Sequence, residues 1–168
     1  MYMLCVYPTV EQAAVLDRQL SLCRTLYNAA LEQRISAYRK GVSVTYNMQQ
    51  NELTSVKRDN PEYSVVHSQV LQDVLHRLDK AFKNFFRRVR EKAGKADFPR
   101  FRSCDRYDSI TYPQLGFAIE RNKLHLSKIG NVKIVKHKGD SRQSQDMHHQ
   151  ARQVRRLVCV VLMRTARC

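Results

Sequence analysis

The chain has 168 residues, 43% of them hydrophobic, and carries a formal net charge of +15 from 30 Lys and Arg against 15 Asp and Glu. That is enough for one domain, or two small interleaved lobes, with a real core, which excludes wholesale disorder. The charge calls for a polyanion: nucleic acid before a membrane, because the longest apolar run near either end, Leu157 to Met163, is seven residues and a span needs about twenty.

Met1 to Val6 reads as a short strand ended by Tyr7-Pro8. Thr9-Val10-Glu11-Gln12 has the form of a capping box, in which the Thr9 hydroxyl accepts from a free backbone N–H and Gln12 reaches back. A long helix follows, with Leu16, Leu20, Cys23, Tyr27, Leu31, Ile35 and Tyr38 at helical spacing, and Lys40-Gly41 ends it. A second helix begins near Thr45-Tyr46 and runs to about Arg58, with Met48, Leu53 and Val56 inward, until Asp59-Asn60-Pro61 breaks it. Ser64 is placed to cap a third helix that reaches about Ala93. At 100° per residue, Leu71, Val74, Leu75, Leu78, Phe82, Phe85, Phe86 and Val89 of this helix share one arc. Arg77, Lys80, Lys83, Asn84, Arg87 and Arg88 share the opposite side. A face of nearly one sign repels itself unless a polyanion meets it, so it reads as a binding face over a merely solvated one.

After Phe98-Pro99-Arg100-Phe101-Arg102 the period changes to alternation. Ser109 to Tyr112, Phe117 to Glu120, Lys123 to Ser127 and Val132 to Lys136 read as strands, with turns at Arg121-Asn122 and Gly130-Asn131. A lone first strand is unstable, so it has to pair with the late ones. The expected class is α+β: a small wedge-like β-barrel with a helical lobe of three helices inserted after its first strand. Its parts are a first barrel strand (1–8), the helical lobe (9–95), the remaining strands (96–138) and a divergent basic tail (139–168).

Charge is uneven along the chain. Residues 1–76 are neutral, 77–140 carry +10 and 141–168 carry +5. Cys5, Cys23, Cys104, Cys159 and Cys168 show no C-x-x-C or C…H spacing, so they read as buried free thiols and not as a zinc site. His148-His149 with Cys159 fits no standard metal spacing either. The N-terminus has no basic stretch leading into an apolar core, so no secretion signal is read and the expected location is cytoplasmic. Acidic residues are scattered and no nucleophile–base motif appears, so no catalytic residue, cofactor or small-molecule substrate is expected.

Tyr7-Pro8-Thr9 before a capped helix, Tyr27-Asn28-Ala29-Ala30-Leu31, Ala81-Phe82-Lys83-Asn84-Phe85-Phe86 and Phe98-Pro99-Arg100-Phe101 together resemble the N-terminal portion of the TnpB (OrfB) proteins of bacterial insertion sequences. The hairpin around Asn122-Lys123-Leu124 and the segment Leu126 to Lys136 continue the resemblance, which covers residues 2 to about 138. TnpB proteins are RNA-guided DNA nucleases. Older descriptions call the same segment a transposase helix-turn-helix domain. The resemblance implies that this front end grips guide RNA and the short motif beside the target in double-stranded DNA, while the metal-dependent nuclease and a four-cysteine zinc element come later in the family's chains. It places Tyr46 and Gln72 where family residues approach the DNA motif. Gln suits the edge of an adenine, and Tyr a base or phosphate. The competing roles are a packing residue at a helix start for Tyr46 and a solvated helix position for Gln72. Cys5 stands where the family usually carries an Arg. In the Phe98–Arg102 segment the phenylalanines read as structural and Arg100 and Arg102 as binding residues.

Beyond about Gly139 the resemblance stops. Residues 1–140 hold eleven Lys, whereas 141–168 hold none and six Arg. That switch reads as an out-of-frame product, with a basic helix over Gln150 to Arg164 as its rival. The function expected is nucleic-acid binding without cleavage. The alternatives are a helix-turn-helix DNA-binding regulator and a truncated remnant with unpaired strand edges.

Overall fold

The computed structural model describes residues 5–92, 96–113, 115–135 and 158–161. Strand β1 (Cys5–Tyr7) leads into α1 (Val10–Arg39), α2 (Tyr46–Asp59), a 3-10 turn at Pro61–Val65 and α3 (Ser68–Glu91). A second 3-10 turn, Cys104–Arg106, precedes β2 (Ser109–Tyr112), β3 (Phe117–Glu120), β4 (Lys123–Leu126), β5 (Gly130–Val135) and β6 (Val158–Val161). The class is α+β, with three helices between the first strand and the rest.

The capping box forms as its sequence dictates. Thr9 Oγ1 accepts from the Gln12 N–H and Gln12 Oε1 accepts from the Thr9 N–H. The same Gln12 side chain donates to the Asn131 carbonyl at 2.8 Å, fixing the start of α1 to β5. Leu16, Leu20, Cys23, Tyr27 and Leu31 form the buried stripe of α1, and Leu71, Val74, Leu75, Leu78 and Phe82 that of α3. Each such leucine contributes about 2 kcal/mol by leaving water. Leu124 and Leu126 of β4 and Val132 and Ile134 of β5 alternate inward and complete the core.

The sheet is antiparallel in the order β1-β5-β4-β3, with Val6 opposite Ile134 and Leu124 opposite Val132. The lone first strand therefore does pair with a late one. A closed barrel is not formed among the described residues: β2 stands apart, paired only with β6, and β3 is an edge whose last three residues are exposed. Val158–Val161 being a strand, opposite Ser109–Tyr112, corrects the alternative of a helix over Gln150 to Arg164 at those positions. The rest of the tail, Met1 to Leu4, the helix stop at Ala93-Gly94 and Lys136 lie outside the described residues.

Other expectations shift for local reasons. Pro61 starts a 3-10 turn that consumes Ser64, so α3 begins at Ser68 and is capped by His67, whose Nδ1 accepts from the Gln69 N–H. Tyr38 and Met48 are exposed where inward positions were expected, as the end of α1 and the start of α2 flank an open loop. Phe86 and Val89 are exposed too, because α3 runs about two turns past its last buried residue, Phe82. The β4–β5 turn is Ser127-Lys128-Ile129, with Lys128 at φ 71°, one step before the expected Gly130-Asn131. Cys23 is buried, and burial pushes its thiol up to about 12, but Cys104 is exposed.

A polar network ties the three helices together. Arg34 of α1 pairs with Asp79 of α3 at 3.3 Å and donates to Gln49 Oε1 of α2 at 2.8 Å. Gln49 in turn donates to the Ala30 carbonyl and Gln33 Oε1. The Arg34 guanidinium also lies 5.1 Å from the centre of the Phe82 ring. Asp79 pairs with Lys83 as well, at 2.9 Å, but that partner is 76% exposed whereas Arg34 is 9% exposed. Asp79→Ala strands a buried guanidinium and is expected to cost about 3 kcal/mol; Lys83→Ala is expected to cost under about 0.5 kcal/mol. Urea denaturation of both variants checks the contrast.

His67 rests against Tyr112, and Gly116, at φ +90°, leaves room for it: a Cβ there would lie 3.1 Å from both rings. Burial, then Lys57 and Lys128, holds the imidazole below its usual 6.5. The folded state thus favours the neutral ring, so this contribution is present above about 6.5 and is lost as pH falls below it. Protonation would also remove the Nδ1 acceptor that caps α3. The expected result is a melting temperature that declines with acid below that value, and a shallower decline in His67→Asn, which keeps a side-chain cap.

Candidate nucleic-acid interface

Helical rise and twist place Gln72, His76, Lys80, Lys83, Arg87 and Arg90 within an arc of about 80° on α3, over about 27 Å of its length. Gln72 is half-buried and the other five are exposed. The start of this ridge meets α2. Tyr46 sets its ring edge-on to His76, with centroids 5.9 Å apart. Burial and then Asp79 and Asp73 push the Tyr46 hydroxyl above its usual range, so it stays a neutral hydrogen-bonding group. One turn back along α3, Gln72 lines a shallow cleft of about 200 Å³ with Gln50, Leu53, Thr54, Lys57, Ser68 and Leu71. The structure thus brings Tyr46 and Gln72 to one seam between α2 and α3, with the basic ridge running away from it.

The remaining basic residues do not act as one surface. Arg77, expected on the binding face, turns inward. Its Nε pairs with Asp73 at 2.8 Å, its Nη1 donates to the Ser109 carbonyl at 3.1 Å, and its Nη2 donates to Thr111 Oγ1. It therefore joins α3 to β2. Lys80, Asn84, Arg87 and Arg88 are exposed, and Lys83 reaches solvent while leaning on Asp79. Arg100 is exposed and pairs with Asp97 at 3.1 Å.

Arg102 is held by its backbone. Asn28 of α1 accepts from the Arg102 N–H at 2.8 Å and donates to its carbonyl at 3.0 Å. The Arg102 guanidinium then lies 5.8 Å from the centre of the Tyr27 ring. With Arg77, Arg106, Tyr107, Asp108 and Ser109 these residues line a notch of about 250 Å³ on the flank of α3 away from the ridge. Phe98 packs edge-on against Phe82 and Phe85, as a structural residue should, yet is 44% exposed.

His76, Gln50, Arg90 and Arg106 join these sites beyond the residues expected from sequence. His76 and Arg90 follow from Gln72 at 100° steps, so the helical wheel carried that signal. Gln50 and Arg106 depend on how α2 and the Cys104–Arg106 turn pack, which periodicity does not encode.

Comparison with known proteins gives consistent matches. A family model described as a helix-turn-helix domain, that of the OrfB proteins of IS605-type insertion sequences, matches residues 1–42. In this chain those residues hold β1 and the single 30-residue helix α1. A Streptomyces pristinaespiralis protein named as a candidate RNA-guided DNA endonuclease is 36% identical over 126 residues, 73% of this chain. The Escherichia coli K12 protein InsQ, named likewise, is 29% identical over 133 residues, again 73% of this chain. The chain spans 30% of the length of each of these relatives.

The two arginine environments separate by stability. Arg77→Ala, which removes the link from Asp73 to β2, is expected to lower unfolding free energy by about 2 kcal/mol. Arg88→Ala removes the same charge from an exposed site and should stay within about 0.5 kcal/mol of the parent by urea denaturation.

Proposed function

We propose that this chain, which matches the N-terminal portion of the TnpB (OrfB) insertion-sequence proteins, binds nucleic acid through the α3 ridge and the seam that feeds it. The observation that carries this reading is the ridge itself: Lys80, Lys83, Arg87 and Arg90 in one exposed arc, with Tyr46 and Gln72 at its head. The cations would hold phosphates without regard to sequence, and the seam would meet base edges. A glutamine at the head of such a ridge can pair two hydrogen bonds with an adenine, and a neutral tyrosine hydroxyl can donate or accept beside it. The matched relatives are named for RNA-guided DNA cleavage, which supports guide RNA and target-adjacent duplex DNA as the two partners.

Binding without cleavage is the finer reading. Asp73, Asp79 and Asp97 are each paired with an arginine. Among the described residues, no three of His, Cys, Asp and Glu come together where a metal ion could be held. No helix among them is long and apolar enough to cross a membrane. A compact helix-turn-helix reader of DNA alone is less well supported, because the residues matched by that family model contain one helix.

The test is fluorescence anisotropy with insertion-sequence-end RNA and with duplex DNA over a range of salt, with magnesium added in parallel to detect strand cleavage. Log affinity is expected to fall linearly with log salt. Lys80→Ala with Arg87→Ala should reduce the slope by about two and leave the unfolding midpoint unchanged. An unchanged slope would place the interface elsewhere, and cleavage by the chain would overturn the non-enzymatic reading.

A further inference from the structure

The far end of α3 carries an aromatic surface that neither the core nor the phosphate-binding ridge accounts for. Phe86 lies nearly parallel to Phe82, with centroids 6.2 Å apart and planes at 26°, and Phe85 meets it edge-on at 5.2 Å. Phe85 also meets Phe98 at 5.3 Å, so the four rings form one cluster rooted in the buried Phe82. The cluster fixes Phe86 without covering it. Phe86 is 60% exposed, and Val89 beside it on the helix is 51% exposed. Leaving an aromatic ring in water forfeits the burial that normally stabilises it, so a ring held in place by its neighbours yet left open calls for an occupant.

The surrounding charges say what kind. Within seven residues of Phe86 on α3 lie Lys80, Lys83, Arg87, Arg88 and Arg90, all exposed, against Glu91 and an Asp79 already paired with Arg34. An occupant must therefore be flat, apolar and attached to negative charge. Bases of single-stranded nucleic acid meet all three conditions: every base has a stacking face, and every nucleotide carries a phosphate. Paired bases within a duplex present only their edges, and stack on one another instead.

We infer that Phe86 is a stacking platform for an unpaired base of a bound single strand, with Arg87 and Arg90 holding the adjoining phosphates. This deepens the nucleic-acid reading and rests on it. It assigns the ridge two zones: a seam at Tyr46 and Gln72 that meets base edges, and a terminus that takes a base face.

The experiment uses the full chain and two labelled probes of equal charge, each about twelve nucleotides long: oligodeoxyadenylate, and an abasic strand of the same length. The parent is expected to bind oligodeoxyadenylate about tenfold more tightly than the abasic strand. Phe86→Leu keeps apolar contact with Phe82 but has no flat face, and should lose most of that advantage with abasic binding unchanged. Phe86→Tyr keeps the ring and should retain it. Equal affinity of the parent for both probes, or an advantage that survives Phe86→Leu, would overturn the platform while leaving phosphate binding intact. Binding of neither probe at low salt would instead sink the nucleic-acid reading on which it stands.

Discussion

The rotation of α3 about its own axis is the constraint on which the proposed binding surface depends, and the Arg34–Asp79 pair holds it. Apolar packing alone is tolerant: the arc from Leu71 to Phe82 is broad enough to sit on α1 at several neighbouring angles. A guanidinium that must satisfy Asp79 and Gln49 while lying over Phe82 admits far fewer. Because Asp79 sits between Lys80 and Leu78, fixing it fixes which positions face solvent on either side. The buried pair is better understood as a device for register than as a source of stability, since two apolar residues of similar volume could pack as well.

Arginine has two roles in this chain, distinguishable only by surroundings. Arg77 and Arg87 are ten residues apart on one helix and chemically identical. Arg77 has Asp73, Ser109 and Thr111 within reach, and its five donors are largely satisfied by the protein. Arg87, with Lys83 at i−4 and Glu91 at i+4 on its helix, is exposed. Such a difference explains why a net charge of +15 overstates the field available to a ligand. Part of what remains is organised: Lys80, Lys83, Arg87 and Arg90 follow one ridge of α3, while Arg102 and Arg106 border a separate notch with Tyr27 and Tyr107.

Much of this was legible in the sequence where the determinant is local. The capping box at Thr9-Gln12, the apolar stripe of α1 as far as Leu31, the first three late strands and the Arg121-Asn122 turn depend on neighbours within a few residues and appear where spacing put them, while the fourth begins two residues early, at Gly130. Expectations failed where a partner decides. Phe86 and Val89 have the right angle on the wheel but, among the described residues, no element above them. Ser64 is a good cap residue displaced by the turn that Pro61 begins. Arg77 lies on the polar side of the helix, yet β2 approaches that side. The seam at Tyr46 and Gln72 came from likeness to a family, not from periodicity. Its geometry became visible only once α2 and α3 were placed together.

The double use of Gln12 has a consequence for the order of events on the ribosome. Its side chain closes the cap at Thr9 and also binds Asn131, and β1 beside it pairs with β5 across more than a hundred residues. At usual elongation rates about ten seconds separate the synthesis of these partners. The helices, whose contacts are closer in sequence, can assemble during that interval, but β1 cannot complete its ladder. β1 therefore leaves the exit tunnel well before the partner that secures it, and until then a nascent-chain chaperone would find its backbone unpaired.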